Sequence, residues 1–61
     1  MILYYCRFLG DGNRQVVEAH FEADRDTEAR AIARGMLAKR RGLLGFDLWV
    51  GNQCIDTYRR S

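Results

Sequence analysis

Aromatic and branched residues crowd the first third of the chain, in Ile2-Leu3-Tyr4-Tyr5-Cys6-Arg7-Phe8-Leu9 and again from Arg14 to Phe21, with the polar run Gly10-Asp11-Gly12-Asn13 between them. Two runs rich in aromatic and branched residues, joined by residues that tolerate positive φ, predict a β-hairpin. With Asp11-Gly12 at the turn centre, the register sets Leu9 against Arg14, Cys6 against Val17, Tyr4 against Ala19 and Ile2 against Phe21. Side chains alternate across a strand, so Ile2, Tyr4, Cys6 and Phe8 share a continuous apolar face with Val17, Ala19 and Phe21. The opposite face carries Leu3, Tyr5, Arg7 and Leu9 with Val16, Glu18 and His20, and is mixed rather than polar.

The period then lengthens. Ala29, Ile32, Ala33, Met36 and Leu37 fall at i, i+3, i+4, i+7 and i+8, which predicts an amphipathic helix. Asp24 or Asp26 is placed to cap its first N–H groups, and Glu28 suits the positive end of its dipole. Lys39, Arg40 and Arg41 suit the negative end, and Gly42 is the expected stop. From Leu44 the period returns to two, with Gly51-Asn52 as a two-residue turn and Gln53 to Tyr58 as the last strand. This register puts Leu48 opposite Ile55 and Phe46 opposite Thr57 on the core face. On the other face Trp49 meets Cys54 and Asp47 meets Asp56. The order predicts an α+β domain, ββαββ, with one amphipathic helix on a four-stranded, mainly antiparallel sheet over residues 1–58. Arg59-Arg60-Ser61 is expected to be a loose basic tail.

One short helix covers one face of such a sheet, and the other face still carries aromatic residues. Leu3, Tyr5, Arg7, Val16, Trp49 and Tyr58 are therefore the candidate interface. The simplest occupant is a second copy, as a two-fold homodimer joined sheet to sheet or through an exposed strand edge, or another protein in a larger assembly. The competing explanations are that scattered exposed apolar residues are ordinary, or that a register slip of one residue exchanges the faces. Tyr5, Arg7, Trp49 and Tyr58 are also the residue types that stack unpaired bases. Binding of single-stranded RNA or DNA is the less favoured reading, because Glu18, Asp47 and Asp56 on the same face repel phosphate.

Composition narrows the class. A chain of 61 residues makes one domain that buries only about 60% of the surface its unfolded form exposes, so help from association is expected. Hydrophobic residues at 48%, charged residues at 30% and the absence of proline describe a folded domain rather than a disordered tail. The net charge of +2 permits nucleic-acid contact without arguing for it. Two cysteines without zinc spacing, no apolar run long enough for a membrane span and no signal-peptide pattern lead to the expectation of a cytoplasmic location.

Two further patterns lie on the helix. Arg30, Arg34 and Arg41 share an azimuth and form a candidate basic stripe, weighed against an ordinary flank paired with neighbouring carboxylates. Ala31, Gly35 and Ala38 form a small-residue line open to close approach, although alanines are also simply good helix formers. Catalytic chemistry finds little footing: His20, Glu18, Asp47, Asp56 and Cys54 share a face, but no spacing forces them together. No metal, cofactor or enzymatic activity is expected. The unfavourable facing of Asp47 and Asp56 calls for an arginine, a cation or a partner, and an arginine from Arg7 or the tail is favoured over a metal. Cys6 is expected in the core and Cys54 on the other face, too far apart for a disulfide.

The run Phe21-Glu22-Ala23-Asp24-Arg25-Asp26-Thr27-Glu28-Ala29, followed by Ala33 and then Phe46-Asp47-Leu48-Trp49-Val50-Gly51-Asn52, resembles small uncharacterised bacterial proteins, mostly alphaproteobacterial. An aromatic-rich first strand, an acidic helix start and a late Leu-Trp hairpin recur in them. The resemblance implies the ββαββ order and a bacterial cytoplasmic origin, and it brings no activity. The strand–turn–strand–helix order is also loosely similar to the N-terminal part of HicB-type antitoxins, without their clear glycine and acidic signatures or their DNA-binding segment.

Overall fold

The computed structural model describes residues 1–60; Ser61 and the side chains of Asn13, Gln15 and Val16 lie outside the described residues. Strand β1 (Ile2–Leu9) pairs antiparallel with β2 (Gln15–Ala23), helix α1 (Asp26–Ala38) follows, and β3 (Gly45–Val50) and β4 (Gln53–Arg59) close the fold. The four strands form one antiparallel sheet in the order β2-β1-β3-β4, so the first strand of the chain lies in the middle, bonded to both β2 and β3. The ββαββ order holds.

The core forms where α1 meets the sheet. Tyr4, Cys6, Phe8, Phe46 and Leu48 from the two central strands are buried against Ala29, Ala33 and Leu37 of the helix. Leu43, from the loop before β3, joins the same cluster. Each of the large apolar side chains contributes about 1.5–3 kcal/mol by leaving water. Ile32 and Met36, also expected in the core, are only partly buried at its border. The accessible surface of 4205 Å² is close to the roughly 4,100 Å² that the size scaling gives for this mass. The chain therefore packs as tightly as an ordinary monomer of its size.

Both hairpin registers differ from expectation. In the first, Tyr4 faces Phe21, Cys6 faces Ala19 and Phe8 faces Val17, a slip of two residues from the expected pairing. The cause is a longer turn: Asp11–Asn13 forms a short 3₁₀ turn, Gly12 takes φ 74°, and the Gly10 N–H donates to the Arg14 carbonyl at 2.8 Å. A slip of two preserves parity, so the faces remain as expected. In the second hairpin Trp49 faces Cys54 as expected, but the pairing shifts beyond it, with Leu48 facing Asp56 and Phe46 facing Tyr58. Ile55 is the extra residue of a β-bulge. From Asp56 to Arg59, β4 shows the opposite faces to those predicted.

The helix ends differ as well. Its N-cap is Arg25, in extended backbone and without a side-chain cap bond, so neither Asp24 nor Asp26 caps it. Instead Glu28 accepts from the Asp24 N–H at 2.7 Å, and Asp26 accepts from the Tyr4 hydroxyl at 2.7 Å, tying the start of the helix to the central strand. The helix stops at Ala38, four residues before Gly42. The tail is not loose up to Arg60: Arg59 belongs to β4, the Arg60 N–H donates to the Leu44 carbonyl at 2.6 Å, and the Arg60 guanidinium donates to the Leu37 carbonyl at 2.7 Å. A cation there satisfies a carbonyl of the last helical turn and complements its dipole. Gly45 is fixed by close approach, since a Cβ on it would overlap the Tyr58 carbonyl oxygen and crowd Arg59.

Candidate interface on the open sheet face

The face turned away from α1 is organised in rows across the strands. Tyr5 stands in register with His20 on one side and Trp49 on the other, and Cys54 continues the row on β4. The rings of Tyr5 and His20 are 4.9 Å apart and tilted. One row along, Arg7 stands between Glu18 and Asp47, and its guanidinium lies 5.3 Å from the centre of the Trp49 ring. At that distance a cation over an indole contributes about 0.5–1 kcal/mol where solvent reaches it. Arg59 donates to Asp47 at 3.1 Å, so a tail arginine neutralises that carboxylate.

Ionisation follows the packing. Burial, then a hydrogen bond to Glu18, raises the Tyr5 phenol above its ordinary value. Beneath the face, burial pushes the Cys6 thiol up to about 12, with the charge of Asp47 adding to the effect. A thiol held there is protonated at neutral pH and makes no thiolate nucleophile. Cys54 is exposed, and both cysteines are free thiols. Among the described residues no group of three or more His, Cys, Asp and Glu side chains is placed to hold a metal ion. Trp49 Nε1 and Arg7 Nε are closed off from solvent and meet no acceptor among the described residues.

The expected interface is therefore only partly assembled. Leu3, Tyr5, Arg7 and Trp49 share the open face, with Leu3 60% exposed at its edge. Val16 lies in β2, and its side chain is outside the described residues. Tyr58 is not on this face. The bulge at Ile55 turns it to the helix side, where its ring stacks on Phe46 at 5.8 Å and takes the Arg34 guanidinium over it at 4.8 Å. Asp56 turns with it, so it does not face Asp47 and instead pairs with Arg30, at 3.7 Å. Ile55 packs against the core, and its carbonyl accepts from Arg30 at 3.4 Å. Consecutive residues on one side are the mark of a bulge.

The basic stripe resolves in the same way. Arg30 and Arg34 lie down on β4, while Arg41 sits exposed in the turn beyond the helix. Ala31, Gly35 and Ala38 are exposed along the helix, and nothing lies within 4 Å of a Cβ built on Gly35. Three contributors escape a reading of the pattern alone: His20 as an aromatic neighbour of Tyr5, Asp26 as acceptor for Tyr4, and Arg60 on the helix end. Tyr4 carried a signal, because a tyrosine in the middle of a core strand needs a partner for its hydroxyl, and the helix start is the nearest polar element.

Comparison with known proteins finds no matching family model, no matching curated protein and no matching solved structure. No helix among the described residues is long and apolar enough to cross a membrane.

Proposed function

We propose that this chain is a small non-enzymatic interaction protein that associates through its open sheet face, in the simplest case face to face with a second copy. One observation carries the reading: α1 covers a single face of the sheet, and the other holds the connected row His20, Tyr5 and Trp49 with Arg7 on the indole. Aromatic residues and arginine are the types that dominate association energy once desolvated. The neighbouring row of Glu18, Arg7 and Asp47 alternates in sign, so a two-fold copy can set cation against anion. A reducing cytoplasm suits the two free thiols.

The turning of Tyr58 and Asp56 alters the nucleic-acid alternative. The stacking platform loses one aromatic and one carboxylate, Asp47 is paired with Arg59, and Glu18 still borders what remains. Protein association is therefore the stronger reading. It is tested by light-scattering chromatography over a concentration series. Trp49→Asp should weaken the face-dependent step by about 30-fold, the effect of losing a central aromatic anchor worth about 2 kcal/mol. The circular dichroism spectrum should stay native. Concentration dependence identical to that of the wild type would refute the reading.

A further inference from the structure

The sheet has two free edges, and they are unequal. On β4 the bulge at Ile55 falls in the middle of the strand, interrupting the regular ladder that another strand needs. On β2 the irregularity lies near the start, between the positions facing Leu9 and Phe8, and Val17 to Ala23 is an unbroken antiparallel run. The edge is also the weakest part of the core. Phe8, Cys6 and Tyr4 on β1 are almost wholly buried, whereas their partners Val17, Ala19 and Phe21 on β2 are only partly so. Beside them a cleft of about 290 Å³ lies between β2 and the C-terminal end of α1, lined by Phe8, Val17, Ala19, Met36 and Leu43, with Lys39 and Arg40 among its polar residues.

We propose that β2 is the seam of a homodimer, in which two copies pair antiparallel about a two-fold axis at Ala19 to make one eight-stranded sheet. This goes beyond the preceding reading, because it uses the edge of the sheet and takes from the open face only its rim residues Glu18 and His20. The register follows from three requirements. An axis perpendicular to the sheet keeps both helices on one side, so even residues must face even and odd must face odd. An axis at Glu18 or His20 sets Glu18 against Glu18 or against Glu22 of the second copy, which like charge opposes. An axis at Phe21 sets Glu18 against Asp24, again like charge. The axis at Ala19 keeps the pairing inside the unbroken run, with Val17 to Phe21 of one copy laid along Phe21 to Val17 of the other. It also sets Glu18 of each copy against His20 of the other.

Both partners can make that contact within their present surroundings. His20 rests its ring on Tyr5, and an imidazole keeps an N–H donor at its rim in either charge state. Glu18 already accepts from Tyr5, and a carboxylate accepts several donors. On the helix side the same register lays Phe21 of the second copy against Val17, at the mouth of the cleft, so each copy plugs the other. The helices do not collide. α1 packs on β2, β1 and β3, with β1 the middle of the three. From β1 to β1 across the seam is three strand spacings, about 14 Å, against the roughly 8–10 Å of helices in contact.

Nuclear Overhauser spectra of the full chain test this directly. Val17 and Phe21 stand four residues apart on one strand, about 13 Å, so a contact between the Val17 methyls and the Phe21 ring can only cross the seam. It is expected in a mixed, isotope-filtered sample at millimolar concentration. His20→Glu sets carboxylate against carboxylate twice per dimer and should raise the dissociation constant about tenfold or more, abolishing the contact while the spectrum stays folded. His20→Lys should retain it. A chain that stays monomeric, or that associates without the Val17–Phe21 contact, overturns the seam. The open-face reading is judged separately, by Trp49→Asp.

Discussion

Two single residues set their surroundings in opposite ways. Tyr4 is wholly buried and its hydroxyl donates to Asp26, and that bond, with burial and the carboxylate's charge behind it, raises the phenol from 10.0 to about 12. Because the folded value is the higher one, the contribution is complete below pH 10 and is lost as the pH rises through about 12. Denaturant melts of the wild type should therefore fall off across that window, and Tyr4→Phe should be less stable at neutral pH with a shallower alkaline decline. Gly35 is the counter-case: exposed in the middle of α1, with open space where a side chain would be. It has no packing reason to be glycine, so Gly35→Ala should stabilise the chain by about 0.5–1 kcal/mol in urea titration. Composition made the glycine conspicuous, and only the structure shows that nothing lies against it.

Elements were legible wherever the hydrophobic period was uninterrupted. Aromatic and branched runs around a turn signal located the first hairpin, alternation and a turn located the second, and the 3.6 period located the helix, because these signals record which side of an element faces the core. What alternation does not encode is an added residue. The first hairpin tolerated the misread turn because its slip was even, whereas the bulge at Ile55 is a slip of one, which inverts a strand. Tyr58 and Asp56 were accordingly assigned to the wrong face, and with them a third of the expected aromatic site. Deleting Ile55 tests this inversion. Without the extra residue the ladder closes regularly, with Asp56 still facing Leu48 and Tyr58 still facing Phe46, so the ring-current shifts that Tyr58 imposes on Arg34 should survive in the proton spectrum while the lost packing of Ile55 costs about 1–2 kcal/mol.

For the whole molecule, fold class and the existence of an uncovered face followed from arithmetic: four strands have two faces and one helix covers one. Strand order did not follow, since ββαββ allows the hairpins to meet through different edges, and that order decides which strands stay exposed. Placing β1 and β3 inside leaves β2 and β4 as edges. Face and edge then share only the rim residues Glu18 and His20, and assembly should reflect both. The wild type should continue beyond a dimer as concentration rises, and Trp49→Asp with His20→Glu in one chain should remain monomeric throughout the light-scattering series.

The inner position of β1 also bears on the order of events at the ribosome. Its first partner, β2, emerges at once, and α1 can settle on that pair, but its second partner begins only at Gly45. Until then the strand that becomes the centre of the sheet is itself an edge, with its unpaired backbone groups open to any neighbouring nascent chain. Slow emergence of the stretch between Ala38 and Gly45 prolongs that interval, and the density of neighbouring nascent chains becomes a lever on the soluble yield.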